Sequence, residues 1–278
     1  MPQAARIFVS HNSHDARWCH TFVAALRQAG ADIHHEVLGR RYDRARGMEA
    51  LAAADRALAL NPRDAFAWNA RGAVLHALKR YADALATFDQ SLVLDPLSAL
   101  FWLNRGNTLS SLKRPEEALI AYDQALGLDH WDIAIWRKKG VVLAELQRYE
   151  EARLADERAL KIDPDDHSLW NNLGLAFMHL NQYPEALARF EQALQLDPQC
   201  IHAWNNKAWA LMELRRYAEA SVAIEQALTL DPQYAAAWQN KIVLYTRQRR
   251  WFKVWQVRRQ RSGAEITLNI GKHQYMLR

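Results

Sequence analysis

Tryptophan recurs at a fixed interval: Trp68, Trp102, Trp136, Trp170, Trp204 and Trp238 are evenly spaced, without a slip. A constant period between about 20 and 50 residues marks a chain built by stacking one supersecondary unit on itself, since a single unit cannot bury its own apolar face. Counted with tryptophan in fourth place, five full units run over 65–98, 99–132, 133–166, 167–200 and 201–234, and a sixth opens at Ala235. The eighth place holds Gly72, Gly106, Gly140, Gly174 and then Ala208; the twentieth holds Ala84, Ala118, Ala152, Ala186 and Ala220. Small residues there let two helices approach closely, with the tryptophan expected to fill the space beside them. Pro96, Pro164, Pro198 and Pro232 stand near the ends of their units, where proline stops a helix.

The pattern resembles the tetratricopeptide repeat (TPR) over about residues 48–258, with segments 67–75 and 183–198 matching nearly throughout. The resemblance implies an all-α fold: a right-handed superhelical solenoid of antiparallel helix pairs, with the first helices lining a concave groove. Residues 48–64 read as a half repeat, a second helix alone, because His34 and Leu38 stand where a first helix would carry Trp and Gly. Residues 65–234 are the five full repeats, and 235–261 a degenerate capping repeat whose packed face would use Trp251, Val254 and Trp255. The remainder, 262–278, is a basic tail in which 265–269 and 273–277 can pair as a hairpin around Ile-Gly-Lys.

Residues 1–47 read differently. Arg6 to Ser10 has the pattern of a short buried strand, 11–15 a polar turn, 16–29 an amphipathic helix ended by Gly30, and 31–34 the start of another strand. This βαβ-like segment resembles the opening of Toll/interleukin receptor (TIR) domains through Ile7, Phe8, Val9, Ser10, His11, Asp15, Leu26 and Gly30, and a generic βαβ start competes with that reading. The segment carrying the catalytic glutamate of NAD-cleaving members has no counterpart before the repeats begin. A truncated TIR-like segment or cap, without catalysis, is the expectation, with an ancestry in signalling or defence; a TIR-type NAD-cleaving protein is the disfavoured alternative.

Catalytic and cofactor motifs are absent. There is no Walker, Gly-rich dinucleotide or His-Glu-x-x-His pattern. The 11 histidines are irregularly spaced, and neither Cys19 nor Cys200 has a neighbouring histidine or lysine arrangement that would mark a nucleophile. Neither a metal nor a cofactor is expected. The chain holds no apolar run approaching the roughly 18 residues of a membrane span, and no secretory leader at the start. That is the composition of a soluble cytoplasmic protein without a membrane partner.

In TPR proteins, places 2, 5, 6, 9, 12 and 13 of each repeat face the groove. The sixth place here reads Ala70, Asn104, Lys138, Asn172, Asn206 and Asn240, and the fifth includes Arg137, Asn171 and Asn205. A ladder of side-chain amides, each with donors and an acceptor, can pair with the backbone of an extended peptide; such amides can also simply meet water. Trp209, flanked by Met178, Met212 and His202, forms either an apolar anchor pocket or a contact with the next helix. Arg137 and Lys138 add positive charge suited to an acidic or carboxylate-bearing partner. The lysine, asparagine and arginine clamp of chaperone-binding TPR domains is not met by any three consecutive units.

The net charge of +5 hides an uneven spread: +3 over 1–47, −7 over 48–234 and +9 over 235–278. The basic end interleaves Arg247, Arg249, Arg250, Lys253 and Arg258 with Trp251, Phe252 and Trp255, a pattern of nucleic-acid binders or of a capping helix. The expected protein is therefore a non-enzymatic scaffold for a peptide or protein partner. Nucleic acid is the alternative partner, and a small molecule is not expected.

Overall fold

A computed structural model describes residues 44–262 and the short segments 268–270 and 273–275. The βαβ-like reading of residues 6–34, and the TIR resemblance with it, lies outside the described residues. Thirteen described helices follow in order: α1 (Arg44–Leu60), α2 (Ala65–Ala77), α3 (Tyr81–Leu94), α4 (Ala99–Ser111), α5 (Pro115–Leu128), α6 (Ile133–Glu145), α7 (Tyr149–Ile162), α8 (His167–His179), α9 (Tyr183–Leu196), α10 (Ile201–Glu213), α11 (Tyr217–Leu230), α12 (Ala235–Arg247) and α13 (Trp251–Ser262). The first begins four residues before the expected half repeat. Two strands, β1 (Leu268–Ile270) and β2 (His273–Tyr275), pair antiparallel with Asn269 opposite Gln274. The first of them reaches one residue further into the Ile-Gly-Lys segment than its sequence pattern suggests.

The chain forms two compact units, Met1–Val142 and Leu143–Arg278, dividing inside α6. In the first, α2 packs on α3 and α4 on α5, while α1 lies on α2 and α3 on α4. The second repeats the scheme with the pairs α8 and α9, α10 and α11, and α12 and α13. Consecutive first helices also touch: α2 with α4, α8 with α10, and α10 with α12.

The close approach within a pair is filled by an aromatic ring, not by the ruler tryptophan. A Cβ on Gly72, Gly106 or Gly174 would come within 2.6 Å of Phe88, 2.5 Å of Tyr122 and 2.5 Å of Phe190 respectively. All three rings are fully buried. Where the eighth place is Ala208, its counterpart ring position holds the smaller Ile224, also fully buried.

The ruler tryptophans stand half-buried at the joints between successive repeats. Every indole N–H of the ruler donates to the backbone carbonyl six residues earlier: Trp68 to Pro62, Trp102 to Pro96, Trp136 to His130, Trp170 to Pro164, Trp204 to Pro198 and Trp238 to Pro232, at 2.7–3.0 Å. These bonds tie the start of each first helix to the turn just past the preceding second helix, satisfying a carbonyl of that turn.

Turns inside each repeat close in one way. Lys79, Lys113, Gln147, Asn181, Arg215 and Arg249 all have φ of 55–60°. At the first of them, Arg80 N–H reaches Leu75 C=O at 2.9 Å and Lys79 N–H reaches His76 C=O at 2.9 Å. This is the double bond of a Schellman cap, made here without glycine.

At the C-terminal end, Val254 and Val257 are buried among the described side chains of α13. Trp251 is 45% and Phe252 67% exposed, so Trp251 does not belong to the packed face that its spacing suggests.

Candidate peptide-binding face

Side chains three, four and seven residues apart share one side of a helix, so places 2, 5, 6, 9, 12 and 13 of the first helices fall together. In the second unit this side is carried by α8, α10 and α12. The amides there are bonded to each other. Asn206 Nδ2 donates to Asn171 Oδ1 at 2.9 Å, and Asn240 Nδ2 donates to Asn205 Oδ1 at 2.8 Å and to Asn205 C=O at 3.2 Å. Asn206 and Asn240, in sixth place, thus each hold the fifth-place amide of the repeat before. The first unit has the same rung between Asn104 Nδ2 and Asn69 Oδ1 at 2.9 Å.

The rungs fix which end of each amide is oxygen and which is nitrogen. Asn206 keeps its carbonyl oxygen and one N–H for another partner. Burial sorts the set: Asn171 and Asn240 are buried at 9% and 6%, whereas Asn172, Asn205 and Asn206 are half-exposed. Asn172 makes no side-chain hydrogen bond among the described residues. In the first unit, Arg137 is half-exposed and Lys138 exposed. His76 there bonds Ser111 Oγ at 3.1 Å; burial pushes its pKa down, against a hydrogen bond to the Asn107 backbone, and Lys138 lowers it further.

Trp209 is half-buried and its ring carries the Arg247 guanidinium at 5.7 Å. Arg247 also donates to Glu213 Oε1 at 2.6 Å, and that bond, opposed by partial desolvation, holds the guanidinium above its ordinary pKa. The tryptophan is therefore one wall of a polar clasp between α10 and α12, and not an open apolar anchor. Met212 is fully buried and takes no part in the surface; Met178 remains half-exposed. His202 is exposed, and its Nδ1 lies 2.9 Å from Tyr234 Oη. Burial, with Cys200 and Asp231 nearby, raises the pKa of that phenol.

A second recurring contact escapes the sequence reading. The seventh-place cation lies over the ruler tryptophan and pairs with an acid sixteen residues back. Arg105 stands 5.8 Å above Trp102 and 2.7 Å from Asp89; Lys241 stands 5.1 Å above Trp238 and 2.7 Å from Glu225. Lys139 with Asp123 and Lys207 with Glu191 repeat it. Cations at 71, 105, 139, 207 and 241, each with an acid sixteen residues earlier, are the available signal. The fourth repeat breaks the rule with buried Leu173, and Arg189 covers Trp170 instead at 5.5 Å. The same repeat holds the metal-competent group found among the described residues: His167, Asp197 and Cys200, whose ligand atoms lie within 4.8 Å of one another.

Helix pairs repeating on one constant period, joined by tryptophan bonds and amide rungs, define a helical-repeat scaffold of the kind typical of protein–protein interaction. The chain belongs to the tetratricopeptide repeat family, whose model matches residues 40–99, 80–130, 132–167, 171–235 and 205–251. Solved structures agree on the fold. PilW, a type IV pilus biogenesis factor, aligns over 82% of this chain and 98% of its own at 20% identity, with a TM-score of 0.63. YrrB, described as a TPR protein with an unusual peptide-binding site, aligns over 69% and 99% at 22% identity and a TM-score of 0.60. Pseudomonas aeruginosa pilF gives 72% and 92% at 22% identity and 0.61. No curated protein is similar enough in sequence to serve as a relative. No described helix is long and apolar enough to cross a membrane.

Proposed function

We propose that this chain is a non-enzymatic scaffold that binds an extended peptide along the first-helix side of α8, α10 and α12. The observation that carries the reading is the orientation of the amides. Asn206 is held by its rung to Asn171, so its remaining donor and acceptor are fixed before a ligand arrives. A backbone that meets groups already oriented loses less freedom in binding than one that must order them. Asn172 and Asn205 extend the row, and half-exposed Met178 offers an adaptable apolar contact. The peptide-binding site reported for YrrB supports the reading by analogy only.

The test uses a peptide selected by display on the full chain and a fluorescence anisotropy titration. Asn172→Ala removes no side-chain hydrogen bond among the described residues, so it is expected to weaken binding about fivefold to tenfold while the thermal midpoint stays unchanged. Unchanged affinity in this variant defeats the proposal.

A second reading rests on the exposed Trp251 and Phe252 beside exposed Arg249 and Arg250. Aromatic faces among cations stack bases and neutralise phosphates, which suits single-stranded nucleic acid. Electrophoretic shifts of an oligonucleotide should then fall steeply with salt and be lost in the Trp251→Ala/Phe252→Ala variant. A shift that survives both changes assigns the binding elsewhere.

A further inference from the structure

The repeats serve as internal controls for one another, and two departures in the fourth repeat meet in space. The first place of the units reads Ala65, Ala99, Ile133, His167, Ile201 and Ala235, so His167 is the polar exception. The last place reads Asp64, Ser98, Asp132, Asp166, Cys200 and Tyr234. That place caps the next first helix: Asp64 and Asp166 each accept two backbone N–H groups, and Asp132 accepts from Ala134 N at 2.7 Å. Cys200 caps α10 from an extended conformation and makes no side-chain cap bond. A cap aspartate contributes about 1 kcal/mol that this cysteine forgoes.

Between the two departures stands a residue that obeys the rule. Asp95, Asp129, Asp163, Asp197 and Asp231 occupy the thirty-first place, and each Oδ1 accepts from the backbone N two residues on. For Asp197 that bond, to Gln199 N at 2.9 Å, leaves Oδ2 to face His167 Nε2 at 3.6 Å. Cys200 N–H donates to Asp197 C=O at 3.1 Å, so one short turn sets both the carboxylate and the thiol. All three side chains are half-exposed.

We propose that His167 Nε2, Asp197 Oδ2 and Cys200 Sγ bind a zinc ion, with water in the fourth position. A nitrogen, an oxygen and a sulfur ligand suit this borderline-soft cation better than magnesium or calcium, which take oxygen alone. Tetrahedral zinc holds nitrogen and oxygen ligands about 3.4 Å apart, and the imidazole and carboxylate already stand near that separation. The thiol, within 4.8 Å of both, closes the rest by a small side-chain adjustment. On binding, the Cys200 S–H releases its proton to solvent and the thiolate pair forms the zinc–sulfur bond, so affinity rises with pH.

Cobalt(II) is the spectroscopic probe, titrated into the reduced, chelator-stripped full chain. The expected result is a thiolate-to-cobalt charge-transfer band that saturates at one equivalent and is bleached by zinc. Cys200→Ser and His167→Ala install residues that other repeats carry at these places, so both variants should keep the helical circular dichroism of the parent. Cys200→Ser should abolish the band, and His167→Ala should weaken cobalt binding more than about tenfold. Absence of the band in the parent overturns the proposal. So does a band that persists in Cys200→Ser, which would assign it to Cys19, or one whose affinity ignores His167→Ala.

Discussion

Gly174→Ala is expected to destabilise the second unit by about 1–3 kcal/mol, and adding Phe190→Ile is expected to recover most of that loss. A methyl at position 174 would sit 2.5 Å from Phe190 Cε1, and the ring is fully buried with nowhere to retreat. Helix propensity opposes the effect, since alanine is favoured over glycine by about 1 kcal/mol inside a helix. The clash should win because the ring must leave its rotamer or the two helices must separate. The double variant copies Ala208 and Ile224, a pair the fifth repeat already packs with both side chains buried. Phe190→Ile alone removes ring volume without a compensating methyl and should cost about 1–2 kcal/mol. Urea unfolding of the four proteins measures the cycle. A neutral or stabilising Gly174→Ala would mean that the ring yields and that the glycine has no packing role.

The period, the helix pairs and the proline-marked ends are all legible in the sequence, as is the exchange of residues at the eighth place. Such features repeat, and repetition turns weak local preferences into a register. What escapes is the task of each residue inside the register. Tryptophan reads as the filler beside glycine because it is the largest side chain nearby. Its N–H is what decides its place, and a carbonyl six residues back is not visible as a pattern of side chains. The turns at Lys79, Lys113 and Gln147 carry no glycine, so the usual mark of a left-handed residue is missing. Trp209 leaves an anchor pocket and a contact with the next helix both open, because Arg247, more than a full repeat further along the chain, gives no sign in sequence of lying across its face. His167 and Cys200 look unrelated because they sit at opposite ends of one repeat, and stacking is what joins the last place to the first. The amide row is half legible: its places in the repeat can be read from the sequence, but the bonds between its members do not show.

The amide rungs themselves set the second large effect. Asn206→Ala is expected to cost about 1–3 kcal/mol, because it leaves the Oδ1 of buried Asn171 without its donor. Asn171→Ala should cost less, about 1 kcal/mol, since half-exposed Asn206 can turn its freed N–H to water. The double variant should be milder than the two losses added, with a coupling of at least about 0.5 kcal/mol between the sites. Strict additivity in urea unfolding would reduce the rung to a coincidence of spacing. The first unit shows that stacking does not demand an amide at every rung, for Leu103 and Lys138 stand where a pair would be, while Asn69 and Asn104 form one. The scaffold does without this bond at one rung, yet places it twice along α8, α10 and α12. The stability cycle and the Asn172→Ala binding experiment are therefore independent: the first reads the bonds between amides, the second an amide that has no such bond among the described residues.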